Sequence, residues 1–185
     1  MKTRRLDRDR VVSTLAALFR DKYRAECERE KTFPWLKADA KPVIVDAYFA
    51  APLNCLFVFD GAGRFTRDRA KTLASYPADV PLGFDFRLYR ELCAADRARS
   101  TPQTCRQAEI DRALDLLPPK HGLNPTLRIA AAELEERIAG EPTERKLRKA
   151  LDELMDKRLS VHAGTTFQQL LEHPSGKPFV PRVGL

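Results

Sequence analysis

The chain has 185 residues, enough for one ordinary domain with a real core or a core with an extension, and too few for two complete domains. Hydrophobic residues make up 43% and charged residues 32%, a globular composition with a heavily charged surface that excludes a disordered chain. The formal charge is +7 and arginine carries most of it; guanidinium groups bind phosphate bidentately, which points to nucleic acid, although compositional bias alone also yields arginine-rich surfaces.

From residue 7 to residue 29 the pattern is helical, with Val12, Leu15, Phe19 and Tyr23 recurring at intervals of three and four. Continued by one step, the stripe lands on Glu26, a carboxylate that is either at the edge of the core or aimed into a site. Pro34 and Pro42 then break the helix in KTFPWLKADAKP, whose FPWL reads as a short strand or a packing turn. The runs VIVDAYF (43–49) and CLFVFDG (55–61) are rich in β-branched and aromatic residues and read as a paired hairpin of central strands. Alternation places Ile44, Asp46 and Tyr48 on one face of the first strand, and Leu56, Val58 and Asp60 on one face of the second. A helix over 67–75 follows, then a strand at PLGFDF (81–86) and a helix over 87–99. Beyond residue 100 AEIDRALDLL, TLRIAAAELEERIA and TERKLRKALDELMDKRL all read as helices, separated by PPKHGLNP and GEP. The last of them carries Leu147, Leu151 and Leu154 on a stripe. The Pro- and Gly-rich tail reads as irregular.

Cys27, Cys55, Cys93 and Cys105 form no C-x-x-C pair, which argues against a zinc knuckle or redox motif; the first three sit in apolar runs and read as core residues. His121, His162 and His173 lack metal-ligand spacing, and no phosphate-loop or dinucleotide glycine fingerprint occurs. The segment MKTRRLDRDR has no apolar run, and no stretch approaches the length of a membrane span. The expectation is a cytoplasmic protein with reduced thiols and no membrane partner.

Two strands each delivering one carboxylate, followed by the basic segment RFTRDRAK, form a pattern suited to phosphodiester chemistry. Here the sequence resembles the PD-(D/E)XK nuclease superfamily, whose core runs αβββαβ. The likeness covers residues 7–99. Asp46 resembles the superfamily's strand aspartate, and CLFVFDG resembles the next strand, which carries an acid, a spacer and a lysine. Glu26 matches the acid that some members supply from the first helix. The resemblance implies Mg²⁺ held by Glu26, Asp46 and Asp60, with Asp46, Asp60 and Lys71 catalytic and Arg64, Arg67 and Arg69 on phosphates. In such a site the metal polarises the phosphodiester and activates a water, while the lysine orients it.

The chain departs from that pattern at one place. If Asp60 is the acid, Ala62 stands where lysine belongs; if Asp60 takes the lysine position, Val58 stands for the acid. Lys71 either replaces the missing lysine from the following helix or belongs, with Arg64, Arg67 and Arg69, to a solvated helix face. Asp60 is either a ligand or, with Gly61, a turn residue; Asp46, in an apolar strand, needs a cation, a metal or a backbone donor.

The expected fold is α/β: a mixed central sheet with an αβββαβ-type core over 1–99, an all-helical C-terminal extension over 100–160 and a tail over 161–185. The expected function is binding of DNA or RNA by this nuclease-like core, with Mg²⁺-dependent cleavage if the site is active. The rival is a non-enzymatic adaptor whose C-terminal helices dock a protein partner or a second copy, leaving the leucine stripe partly exposed.

Overall fold

The computed structural model describes residues 6–161. Helix α1 (Arg8–Tyr23) begins at Asp7, whose carboxylate accepts the Arg10 N–H at 2.8 Å and so satisfies a donor that no helical turn can reach. Arg24 ends it in the left-handed conformation. The chain then forms a bent antiparallel ribbon. One arm is β1 (Cys27–Arg29) and β2 (Thr32–Ala38); the other is β3 (Lys41–Ile44) and β4 (Ala47–Phe49). Asp39 and Ala40, both at positive φ, make the two-residue reversal between the arms.

Strand β5 (Cys55–Asp60) lies antiparallel to β4. A 3-10 turn (Ala62–Arg64) and the helices α2 (Arg67–Ala74), α3 (Phe86–Ala94) and α4 (Pro102–Leu116) lead to β6 (Asn124–Ala130), parallel to β5. Helices α5 (Ala131–Ile138) and α6 (Glu144–Val161) follow. The main sheet has the order β1-β4-β5-β6, and β2-β3 is a separate two-stranded sheet. A helix, three antiparallel strands, helices and a parallel strand thus give a mixed sheet in αβββαβ order.

Strand alternation decides what each face holds. Cys55 and Phe57 of β5 and Leu127 and Ile129 of β6 point to one side, where they form a core with Leu15 and Phe19 of α1 and Leu147, Leu151 and Leu154 of α6. Leu56 and Val58 point to the other side and meet Leu36, Val43 and Leu114. Asp60 and Arg128 share the parity of this second group. The fold therefore puts a carboxylate and a guanidinium beside each other on the buried face under α4.

Several expectations change. TLRIAAAELEERIA is not one helix: its first half is the end of β6 and its second half is α5, so the region after residue 100 contributes a strand to the main sheet. Residues 1–99 are thus not a self-contained core. VIVDAYF divides between two sheets, which leaves Ile44 exposed on β3, away from Asp46 and Tyr48. PLGFDF forms only an isolated bridge, Gly83 to Leu127. Pro81 has no N–H to donate, and Asp85 already caps α3 by accepting the Leu88 N–H at 3.1 Å. Gly83 itself is required there, because a Cβ would stand 2.3 Å from the Thr126 carbonyl oxygen.

Cys55 and Cys93 are buried, Cys27 half-buried and Cys105 exposed, all as free thiols. No helix among the described residues is long and apolar enough to cross a membrane. The tail, with His162 and His173, lies outside the described residues.

Candidate functional site

Asp60 ends β5 with no solvent exposure. Its two oxygens accept from Nη1 of Arg128 at 2.9 and 2.8 Å, and Oδ2 also accepts the Tyr89 hydroxyl at 2.9 Å. Arg128 continues to α4: Nε donates to Asp115 at 2.6 Å and Nη2 to Asp111 Oδ1 at 3.1 Å. Asp111 and Asp115 are one helical turn apart, so both project from the face of α4 that meets the sheet. A second buried guanidinium, Arg69 of α2, lies 3.3 Å from each of these two carboxylates. Arg64 reaches Asp111 at 2.9 Å from the surface, and the Tyr76 hydroxyl donates to Asp115 at 2.7 Å. Carboxylates and guanidiniums balance, as burial of charge in a low-dielectric interior requires.

This network answers the open questions about Asp60 and Arg69. Asp60 is not a turn residue, and its lone pairs are spent on Arg128 and Tyr89. A divalent ion there needs several oxygens free to converge, but a guanidinium fills the space between the three aspartates. The donor set therefore does not fit Mg²⁺. Arg69, expected on phosphates, has no exposure at all and packs into the interior instead. Burial pushes the Asp111 carboxyl up, but Arg128, Arg69 and Arg64 together outweigh that and hold it below the ordinary carboxylate value. For Asp115 burial wins over Arg128, Arg69 and the Tyr76 hydroxyl, and the carboxyl is raised.

Asp46 lies between β3 and β4, half-buried, and its Oδ2 accepts the Phe59 N–H at 2.7 Å. Arg8 of α1 approaches its other oxygen at 3.4 Å and also reaches Glu30 at 3.5 Å. The backbone donor and the arginine are the partners that an acid in an apolar strand needs. Burial raises the Asp46 carboxyl, with partial relief from the Phe59 N–H, Arg8 and Arg64, and the Asp60 charge adds to the rise. Asp46 and Asp60 thus feel each other, but each is bound to its own donors.

The other expected members do not join them. Glu26 is past the end of α1, because Arg24 turns the chain left-handed, and its side chain is exposed. Lys71 pairs with Asp68 at 3.2 Å and with neither Asp46 nor Asp60. Among the described residues no group of three His, Cys, Asp or Glu side chains is arranged to hold a metal ion.

Asp68 instead staples α2 to α4. The Ser100 and Thr104 hydroxyls donate to it, and these bonds, with Lys71, hold its carboxyl well below the usual range. Beside it lies a cleft of about 640 Å³ whose lining includes Lys37, Asp39, Asp68, Lys71, Arg106 and Glu109. Arg106 pairs with Asp39 at 2.9 Å and Lys71 with Asp68, so the cleft offers no surplus of positive charge.

Surplus charge appears at the start of α2. The Arg67 N–H donates to Asp96 at 3.2 Å, and Ser100 donates to Asp68, so the segment carrying Arg97 and Arg99 is pinned beside the first turn of α2. Arg67, Arg97 and Arg99 are exposed, and none forms an ion pair with a described residue.

The sequence did contain signals for the buried network. Asp111 and Asp115 share the stripe of Ala108 and Leu114, and Arg128 interrupts an apolar run. Acids on a packing face and a cation in a strand each demand a partner, and they supply one another. A scan against protein-family models and searches of curated proteins and of solved structures find no match for this chain.

The ionisation of Asp46 predicts a pH effect. A carboxyl raised by folding binds protons more tightly in the native state, so its ionisation costs stability at neutral pH, and that cost disappears as pH falls through the raised value. Asp46→Asn keeps an oxygen for the Phe59 N–H and removes the charge. The variant is expected to be more stable than wild type at neutral pH, with the difference vanishing in acid; urea denaturation across pH measures it. An unchanged difference down to strong acid would show that the carboxyl does not titrate as described.

Proposed function

We propose that the protein binds nucleic acid on a nuclease-like α/β core whose acid position has become part of a structural ion network. The observation that carries the binding half is the set Arg67, Arg97 and Arg99, exposed on α2 and on the 96–100 segment pinned beside its first turn, with no ion pair to a described residue. Unpaired exposed guanidiniums bind phosphate oxygens and carry no sequence information, so this surface suits backbone contacts. The net charge of +7 favours association with a polyanion over long range.

Catalysis is not part of this reading. Hydrolysis needs a free carboxylate set and a cation poised at the water, and Asp60 is occupied by Arg128 while Lys71 pairs with Asp68. The protein is expected to retain labelled single-stranded and duplex nucleic acid in Mg²⁺ without cutting it. The triple variant R67A/R97A/R99A should keep its fold, since all three side chains are exposed, and lose affinity for every sequence alike. Its dependence of log K on log salt should flatten by about 2, at about 0.7 per lost single-strand phosphate contact. Mg²⁺-dependent cleavage abolished by Asp46→Ala would restore the enzymatic reading, and an unchanged salt slope would remove the trio from the interface.

A further inference from the structure

A second surface feature stands apart from the arginines. Phe33 and Trp35 of β2 and Tyr48 of β4 sit half-buried, with ring centroids 5.2 Å apart for Phe33 and Trp35 and 5.6 Å for Phe33 and Tyr48. Their inner sides pack on the cluster of Leu36, Val43 and Leu56. That contact accounts for their position but not for what covers them. The exposed imidazole of His121 lies parallel on Trp35, at 4.3 Å and 8°. The Lys31 ammonium stands 4.2 Å from the centre of the Tyr48 ring and 5.4 Å from that of Phe33.

Core packing has no use for an exposed His stacked flat on the chain's single tryptophan. One face of the imidazole is against Trp35, and the residue as a whole is exposed. Lys31 is half-buried on the rings and already pairs with Glu28 at 2.7 Å, whereas Lys120, next to His121, is exposed with no ion pair to a described residue. A flat aromatic step with an exposed lysine next to it in the chain is complementary to an unpaired nucleobase joined to a phosphate: the ring stacks and the cation takes the charge.

We infer that Phe33, Trp35, Tyr48 and His121 form a stacking platform for single-stranded nucleic acid, with a base on the outer face of His121 and a phosphate at Lys120. This rests on the nucleic-acid reading above and narrows it to strands with unstacked bases. A duplex, whose bases are already stacked on one another, can use the arginine trio but not this step.

Trp35 is the only tryptophan, so its emission reads this surface directly. The purified full chain is titrated at low salt with a thymidine homopolymer, with a duplex of equal length, and with an abasic deoxyribose-phosphate strand, following label anisotropy and tryptophan emission together. The homopolymer should quench emission in step with binding, and the duplex and abasic strand should bind without quenching. H121A should weaken homopolymer binding by about fivefold to a hundredfold, as loss of one stacked base implies, and leave duplex binding unchanged. As His121 is exposed, the variant should fold. Binding with emission unchanged, or H121A equal to wild type on the homopolymer, overturns the platform and leaves the arginine trio standing. No binding by any strand overturns both.

Discussion

Arg128→Met is expected to destabilise the protein by roughly 3–5 kcal/mol, the cost of stranding buried charges without their counter-ion. Arg128 bonds to Asp60, Asp111 and Asp115 at once, and all four side chains are sealed from water. With the guanidinium gone, Arg69 still faces Asp111 and Asp115, but Asp60 keeps only the Tyr89 hydroxyl. A buried carboxylate with one neutral donor must either take up a proton or admit water, and both disrupt the contact of β5 with β6 and α4. Arg128→Lys should recover little, because one ammonium cannot span three carboxylates in the plane that the guanidinium fork serves. Adding D60N to R128M removes the one carboxylate left without a counter-ion while Arg69 and Arg64 keep Asp111 and Asp115, and should restore part of the loss. Urea denaturation of the variants checks the series, and an Arg128→Met protein within about 1 kcal/mol of wild type would mean that the network is not structural.

Leu151→Ala is expected to cost about 2–5 kcal/mol, the range for truncating a large aliphatic side chain in a packed core. Leu151 has no exposure and lies with Leu147 and Leu154 in the cluster that joins α6 to α1 and to Phe57 of the sheet. The helices are also tied at the surface, where Lys22 pairs with Asp152 at 2.8 Å and Arg148 with Asp21 at 2.9 Å. Such exposed pairs contribute little, so the apolar stripe carries the attachment. A stripe that waits for a partner, as the adaptor reading requires, tolerates alanine without loss of monomer stability. A Leu151→Ala protein as stable as wild type would revive that reading.

Much of the fold was legible from residue patterns. The 3- and 4-residue spacing in α1, the β-branched run of β5 and the leucine stripe of α6 each report a buried face. Strand β6 was hidden because nothing punctuates its end: Ala130 passes into AAELEERI with no Gly, Pro or capping side chain between strand and helix. Ala is a strong helix former, so local preference at the junction favours helix, and only pairing with β5 decides otherwise.

The candidate site was legible in part. Asp46 was recognisable as an acid that needed a partner and Asp60 as either a ligand or a turn residue, and alternation let the two meet only if the faces of their strands coincide. Which partner each would take depended on contacts far apart in the chain, from Arg8 and the Phe59 N–H to Arg128 and Tyr89. Arg69 shows the limit most clearly. The resemblance implied a phosphate contact and the basic segment allowed a solvated face, but its burial is set by α4, which carries Asp111 and Asp115.

We propose that this fold holds nucleic acid by phosphate contacts and does no chemistry on it. The most direct measurement is the equilibrium affinity of the full chain for a labelled single strand in Mg²⁺ over a range of salt, with the strand recovered and sized at each point. An intact strand is expected, with log K falling linearly with log salt at about 0.7 for each phosphate engaged. Absence of binding at the lowest salt, or a shortened strand, would contradict it.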